Sequence, residues 1–176
     1  GDLIVLTRQR FPHARITGVD VTPAMLERAA NRLPEDGHVQ LLRRDMTETG
    51  LPSASFDLVT VGYGLRNAPD LARALGEVVR LLRPGGVAAI LDFSRWDSRW
   101  LGRLELGLLR LWCGFWGLVR SGNPDTYGYI ADSLARFPTR RELHGMLAAH
   151  GLTIRTTRRH FAGVIEAIIA VKQGPR

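Results

Sequence analysis

Three short runs in this sequence, Gly18-Val19-Asp20, Arg44-Asp45-Met46 and Val61-Gly62-Tyr63-Gly64, could each hold part of a polar ligand. A carboxylate such as Asp20, closing an apolar run, offers two acceptor oxygens to neighbouring hydroxyls, as on a ribose. The same acid could instead complement the dipole of the helix that follows. Asp45 could accept from an exocyclic amine while Met46 packs on an aromatic ring, or it could cap its own loop. Gly62 and Gly64 would let the backbone approach a ligand closely. Each feature is common alone, and their order is what makes them informative.

These residues need strands that end together, and the pattern supplies them. Arg15–Val21, His38–Arg43 and Phe56–Val61 read as short buried strands rich in branched side chains. Thr22-Pro23 predicts an N-cap followed by proline at the first helical position, opening a helix buried through Met25, Leu26, Ala29, Ala30 and Leu33. Pro69 opens a second helix, with Leu71, Leu75, Val78, Val79 and Leu82 on one face. Pro84-Gly85-Gly86 stops it before a strand at Val87–Phe93. Thr139 and Glu142 form a capping-box pair, Gly151 ends that helix, and Thr153–Arg158 with Val164–Val171 predict a closing antiparallel hairpin. Strands alternating with helices imply an α/β fold, a mostly parallel sheet with helices on both faces. Ligands bind such sheets at the carboxyl ends of the strands.

Trp96–Val119 breaks the alternation and holds all four tryptophans amid leucines. It predicts one or two helices inserted at about residues 96–135. Such a segment packs against the domain or a dimer partner, covers a hydrophobic substrate as a lid, or touches a membrane interface.

At 176 residues and 45% apolar composition the chain predicts one domain with an ordinary core. The net charge of +7 is almost all arginine, with Lys172 the only lysine. The arginines are scattered with no interleaved aromatics, which argues for a solvated surface or a membrane-facing patch and against a nucleic-acid partner. Cys113 is the only cysteine, so no intrachain disulfide or cysteine-based zinc site can form, and no metal site is expected. A reducing cytoplasm is the expected setting.

The combination GVDVTPAML, RRDM, FDLVTVGYGLRN and LLRPGGVAAILDFS resembles the methyltransferase family that C-methylates the ring of menaquinone and ubiquinone precursors. Gly64-Leu65-Arg66-Asn67 and the Asp125–Ser133 run (DTYGYIADS) carry the resemblance furthest, and it covers essentially the whole chain. It implies a Rossmann-like class I methyltransferase fold using S-adenosylmethionine (SAM). Asp20, with Val21 beside it, would hold the ribose, Asp45 and Met46 the adenine, and Gly62 would lie beside the cofactor. Arg66, Asn67, Asp125, Tyr127 and Tyr129 would line the pocket of a prenylated quinol. Arg66 could stabilise a phenolate, and His160 and Asp125 are candidate bases. Gly1-Asp2-Leu3 matches the last letters of the family's glycine-rich cofactor loop. The resemblance therefore implies a fragment whose first strand is missing, leaving two buried strands facing each other across a gap. Asp92 stands where the family commonly has glutamate, and Glu166 interrupts an apolar strand without an assigned role. Competing readings are a methyltransferase for another small aromatic acceptor, a nicotinamide-dependent oxidoreductase, and a non-catalytic scaffold.

Overall fold

The computed structural model describes residues 1–34, 36–121 and 128–174. Six helices and six strands carry the site. They are α1 (Asp2–Arg10), β1 (Ile16–Asp20), α2 (Pro23–Ala30), β2 (Val39–Arg43), β3 (Phe56–Gly62), α3 (Leu71–Leu81), β4 (Leu82–Phe93), α4 (Arg99–Ser121), α5 (Gly128–Arg136), α6 (Arg140–Ala149), β5 (Leu152–His160) and β6 (Ile165–Lys172). Short 3₁₀ turns lie at Leu65–Asn67 and Phe161–Gly163.

The strands form two sheets. β1 and β2 pair in parallel, and a second sheet runs β3-β4-β6-β5. Within it β3 and β4 are parallel, whereas β6 pairs antiparallel with both β4 and β5. The hairpin read from the sequence is therefore present, and it lies against the central strand β4. β1 and β3 share no ladder, and both line one cleft.

The core lies under one face of the larger sheet. Ala88 and Ile90 of β4, with Ile168 and Ala170 of β6, point alternately to that side. Ala74, Leu75 and Val78 of α3, Leu134 of α5, and Leu143 and Leu147 of α6 cover them. α3 forms because its apolar residues recur at helical spacing and Asp70 caps it, accepting from the Arg73 N–H at 3.0 Å. α6 opens on the complete capping box, Thr139 and Glu142 satisfying each other's backbone N–H groups. Gly151 ends α6 at a φ of +81°, where a side chain would be strained.

Some local readings change. Thr22 occupies the N-cap of α2 but its side chain makes no cap bond; instead its own N–H donates to Asp20 Oδ1 at 2.8 Å. β4 begins at Leu82, but Pro84-Gly85-Gly86, with Gly85 at a φ of +76°, interrupts its ladder with β3, and regular pairing starts at Val87 as the sequence implied. The first ten residues fold as α1, a helix that sequence patterning did not reveal because none of its residues is buried. The tryptophan-rich segment is helical as expected: Trp96 precedes α4, whose 23 residues hold the other three tryptophans.

Glu77 ties the loop after β2 to α3. Its Oε1 accepts from the Thr49 N–H at 2.9 Å and the Thr49 hydroxyl at 2.5 Å, and Arg80 donates to both carboxylate oxygens. Arg80 first, then the Thr49 donors, outweigh burial and pull the Glu77 carboxyl down to about 2. A depressed folded pKa means this stabilisation is complete above the ordinary carboxylate range and is lost as pH falls from about 4.5 towards 2. Glu77→Gln is expected to cost about 2–3 kcal/mol near neutral pH. In denaturant titrations the gap between the two proteins should shrink steadily as pH falls from about 4.5 and close near pH 2; a gap that does not change over this range would contradict the assignment.

Candidate active site

A cleft of about 1520 Å³ runs along the full facing lengths of β1 and β3, which share no ladder, and reaches their carboxyl ends. Asp20, Val21, Asp45, Met46, Gly62 and Asn67 all line it. Residues from three separate sequence runs therefore meet at one place. Two glycines make the approach close. A Cβ on Gly62 would sit 2.7 Å from Leu3 Cδ1, and one on Gly18 would sit 2.6 Å from Ile4 Cδ1. The first turn of α1 thus packs directly onto the middle of β1 and the end of β3.

Asp20 closes β1 with Oδ1 engaged by the Thr22 N–H. Among the described residues no donor reaches Oδ2, which leaves a carboxylate oxygen for a ligand in the cleft. Asp45 is exposed and its Oδ1 accepts from the Thr47 N–H at 2.7 Å and hydroxyl at 2.8 Å. Those two donors hold its carboxyl below the usual range. Met46 is half-buried, its Cε near Gly64, and presents a flat thioether to the cleft. A carboxylate oxygen for hydroxyls, an acid and thioether for a base, and a small residue at the strand end together fit a nucleoside such as that of SAM.

Gly1 and Asp2 do not line the cleft; Asp2 is exposed and bonded to Arg32, whose hydrogen bond and charge lower its pKa. A Cβ on Gly1 would meet Ala29 Cβ at 2.9 Å, so Gly1 serves the packing of α1 against α2.

Arg66 and Asn67 follow β3 in the 3₁₀ turn. Asn67 donates through Nδ2 to the Tyr63 carbonyl at 3.2 Å, bracing the turn at the cleft. Arg66 does not line the cleft; its side chain is buried, with the guanidinium 4.8 Å from the centre of the Phe93 ring and donating to the Ser133 hydroxyl of α5 at 2.8 Å. Tyr63, between the two glycines, has a φ of +54° and stacks at a tilt on Phe93, 5.8 Å between centroids. Left-handed backbone at a non-glycine residue is costly and clusters at functional sites. Sequence reading named Tyr63 only as part of its run, and its place between glycines was the available signal. Asp125 and Tyr127 lie outside the described residues; Tyr129 is on α5, with no described side-chain position. His160 ends β5 at the outer edge of the sheet and does not line the cleft.

Strands ending together at one cleft, with a closing antiparallel hairpin, define the class I SAM-dependent methyltransferase fold. A SAM-dependent methyltransferase from Methanosarcina mazei shares it, with a TM-score of 0.64 at 20% identity over 97% of this chain and 86% of that one. The chain belongs to the ubiE/COQ5 methyltransferase family, whose model matches residues 1–172. It is 34% identical to a demethylmenaquinone methyltransferase of Thermus thermophilus, over 88% of this chain and 71% of that protein. It is likewise 34% identical to a ubiquinone/menaquinone biosynthesis C-methyltransferase of Methylobacterium nodulans, over 89% of this chain and 63% of the relative.

Proposed function

We propose that this protein C-methylates the ring of a reduced, prenylated quinone precursor, a demethylmenaquinol or ubiquinol precursor, with SAM as donor. The observation that carries this is the 3₁₀ turn that follows the end of β3, in which Asn67 lines the cleft beside Gly62 and Arg66 is its neighbour. The names of the relatives point to the same substrate class.

Bound SAM supplies a methyl group already activated on a sulfonium. The protein's work is alignment and charge placement. Asp20 fixes the ribose through its open oxygen, and Met46 covers the adenine. The ring carbon becomes nucleophilic as a neighbouring quinol hydroxyl loses its proton, and Arg66 offers the positive charge that stabilises the phenolate. A carbon–carbon bond forms as the carbon–sulfur bond breaks, and the ring then releases a proton.

The reading extends to the membrane that holds such substrates. No described helix is long and apolar enough to cross it. The outward stripe of α4 exposes Trp100, Leu104, Leu108, Leu111, Phe115 and Leu118, and beside it lies an apolar groove of about 850 Å³ that reaches Ala162 and Val164. Phe161, 78% exposed, extends this surface beside exposed Arg158 and Arg159. An apolar helical stripe flanked by arginines suits a peripheral contact with an anionic bilayer surface, from the cytoplasmic side, and the groove would admit a prenyl tail.

The test uses the full-length gene product, SAM and reduced demethylmenaquinone, with mass spectrometry of the extracted quinone. One added methyl group is expected. Bound SAM with no transfer, and methylation of a tail-free aromatic instead, would overturn the quinol reading.

A further inference from the structure

The apolar layer beneath the larger sheet contains two carboxyl groups. Asp92 of β4 and Glu166 of β6 are register partners in the antiparallel ladder, 2% and 3% exposed. Directly opposed residues of an antiparallel pair project to the same side, so both acids enter one layer. Each has a different partner. Glu166 Oε1 lies 3.1 Å from Nε2 of His144 on α6, whose side chain reaches the surface. Among the described residues no hydrogen-bond donor reaches Glu166 Oε2.

Asp92 engages Arg66 instead. Its Oδ2 accepts from the backbone N–H of Arg66 at 3.4 Å, and its Oδ1 lies 3.7 Å from the Arg66 Nε. Oδ1 is also held by the Phe93 N–H at 2.8 Å. The Arg66 side chain is itself buried, with Phe93 under its guanidinium and Ser133 on Nη1. Burial raises the Asp92 carboxyl, and the N–H groups and the Arg66 charge oppose that rise. A planar guanidinium fixed by an anion, a hydroxyl and a ring face has little freedom left.

We propose that Asp92 is the positioning residue for Arg66, fixing both its backbone and its guanidinium, while the Glu166–His144 bond keeps the opposed carboxyl engaged elsewhere. This rests on the reading that Arg66 serves the reacting ring. Asp92 never touches substrate, and its effect passes wholly through Arg66. Its short side chain suits the role, because the carboxylate stays close enough to the strand to take the Phe93 and Arg66 N–H groups together.

A double-mutant cycle in the full-length gene product separates the possibilities. Methyl transfer to reduced demethylmenaquinone is measured for Arg66→Ala, Asp92→Asn and the pair, with SAM affinity followed in each. Asp92→Asn is expected to lower kcat by about 10²-fold, the scale of a misplaced group, with SAM affinity unchanged. On the Arg66→Ala background it should lower kcat no further. Losses that multiply would overturn the proposal, because Asp92 would then act independently of Arg66. Full activity in Arg66→Ala would instead overturn the reading of the pocket. If Asp92→Asn fails to fold, Asp92→Glu completes the same cycle: its longer reach displaces the guanidinium, and the loss must again vanish without Arg66. Glu166→Gln, equally buried but paired with His144, serves as the control and should leave kcat within a few-fold of the parent.

Discussion

Asp20→Ala is expected to weaken SAM binding by 10²–10³-fold while the protein stays folded. The carboxylate closes β1 and lines the cleft, with one oxygen used by the Thr22 N–H. Hydrogen bonds from a ligand's hydroxyls to an ionised carboxylate contribute about 1.5–3 kcal/mol each, and two such bonds account for a loss of this size. The structural loss is small by comparison. Thr22 lies at the exposed start of α2, and a missing cap there costs about 1 kcal/mol. Calorimetric titration of the full-length gene product with SAM measures the first effect, and a melting curve measures the second. Unchanged affinity would remove Asp20 from the site. A collapse of the fold would make it a structural acid. Asp20→Asn refines the result, since it keeps the cap geometry and removes the charge.

What was legible in the sequence followed from local rules. The strands around Gly18, Leu58 and Ile90 announced themselves through branched and apolar runs, and α3 through its 3.6-residue period. The Thr139–Glu142 box is a motif only four residues long, and it stands as written. Cleft residues could be named because strand ends in this kind of sheet gather ligands, whatever the rest of the chain does. The features that sequence concealed depend on distant partners. Arg66 meets Ser133 across 67 positions, and Thr49 meets Glu77 across 28. The polar residue in β6 looked like an interruption because its reason lies in the register with β4 and in His144 on α6. α1 was missed for a different cause: with no buried face it has no hydrophobic period to read. The Pro-Gly-Gly run marked the break in the β3–β4 ladder, where Gly85 takes a φ of +76°, but not the short pairing of Leu82 with Phe56 that precedes it.

Leu108→Asp combined with Leu111→Asp should reduce association with anionic vesicles by 10²–10³-fold. Both leucines lie on the outward stripe of α4, 58% and 74% exposed, so the exchange removes apolar surface without disturbing the core. The inward side of the same helix carries Gly102, Glu105 and Leu109 and meets α5, which the substitutions leave in place. Withdrawing two leucines from an interface forfeits about 3–5 kcal/mol, and the new charges add repulsion from anionic lipid. Co-sedimentation with vesicles of mixed zwitterionic and anionic phospholipid measures the change. Turnover of a long-tailed quinol should fall with it, whereas a short-tailed analogue dissolved in water should be methylated at nearly the parent rate. Equal loss on both substrates would mean that α4 shapes the ring pocket and does not gather the tail. Undiminished vesicle binding with a shift from dimer to monomer would assign the stripe to a second copy of the chain. The membrane reading is favoured because the stripe continues beyond the helix into Phe161, where arginines at 158 and 159 are also exposed. Cations bordering an apolar face match an anionic bilayer, whereas in a contact between two identical copies they would meet each other.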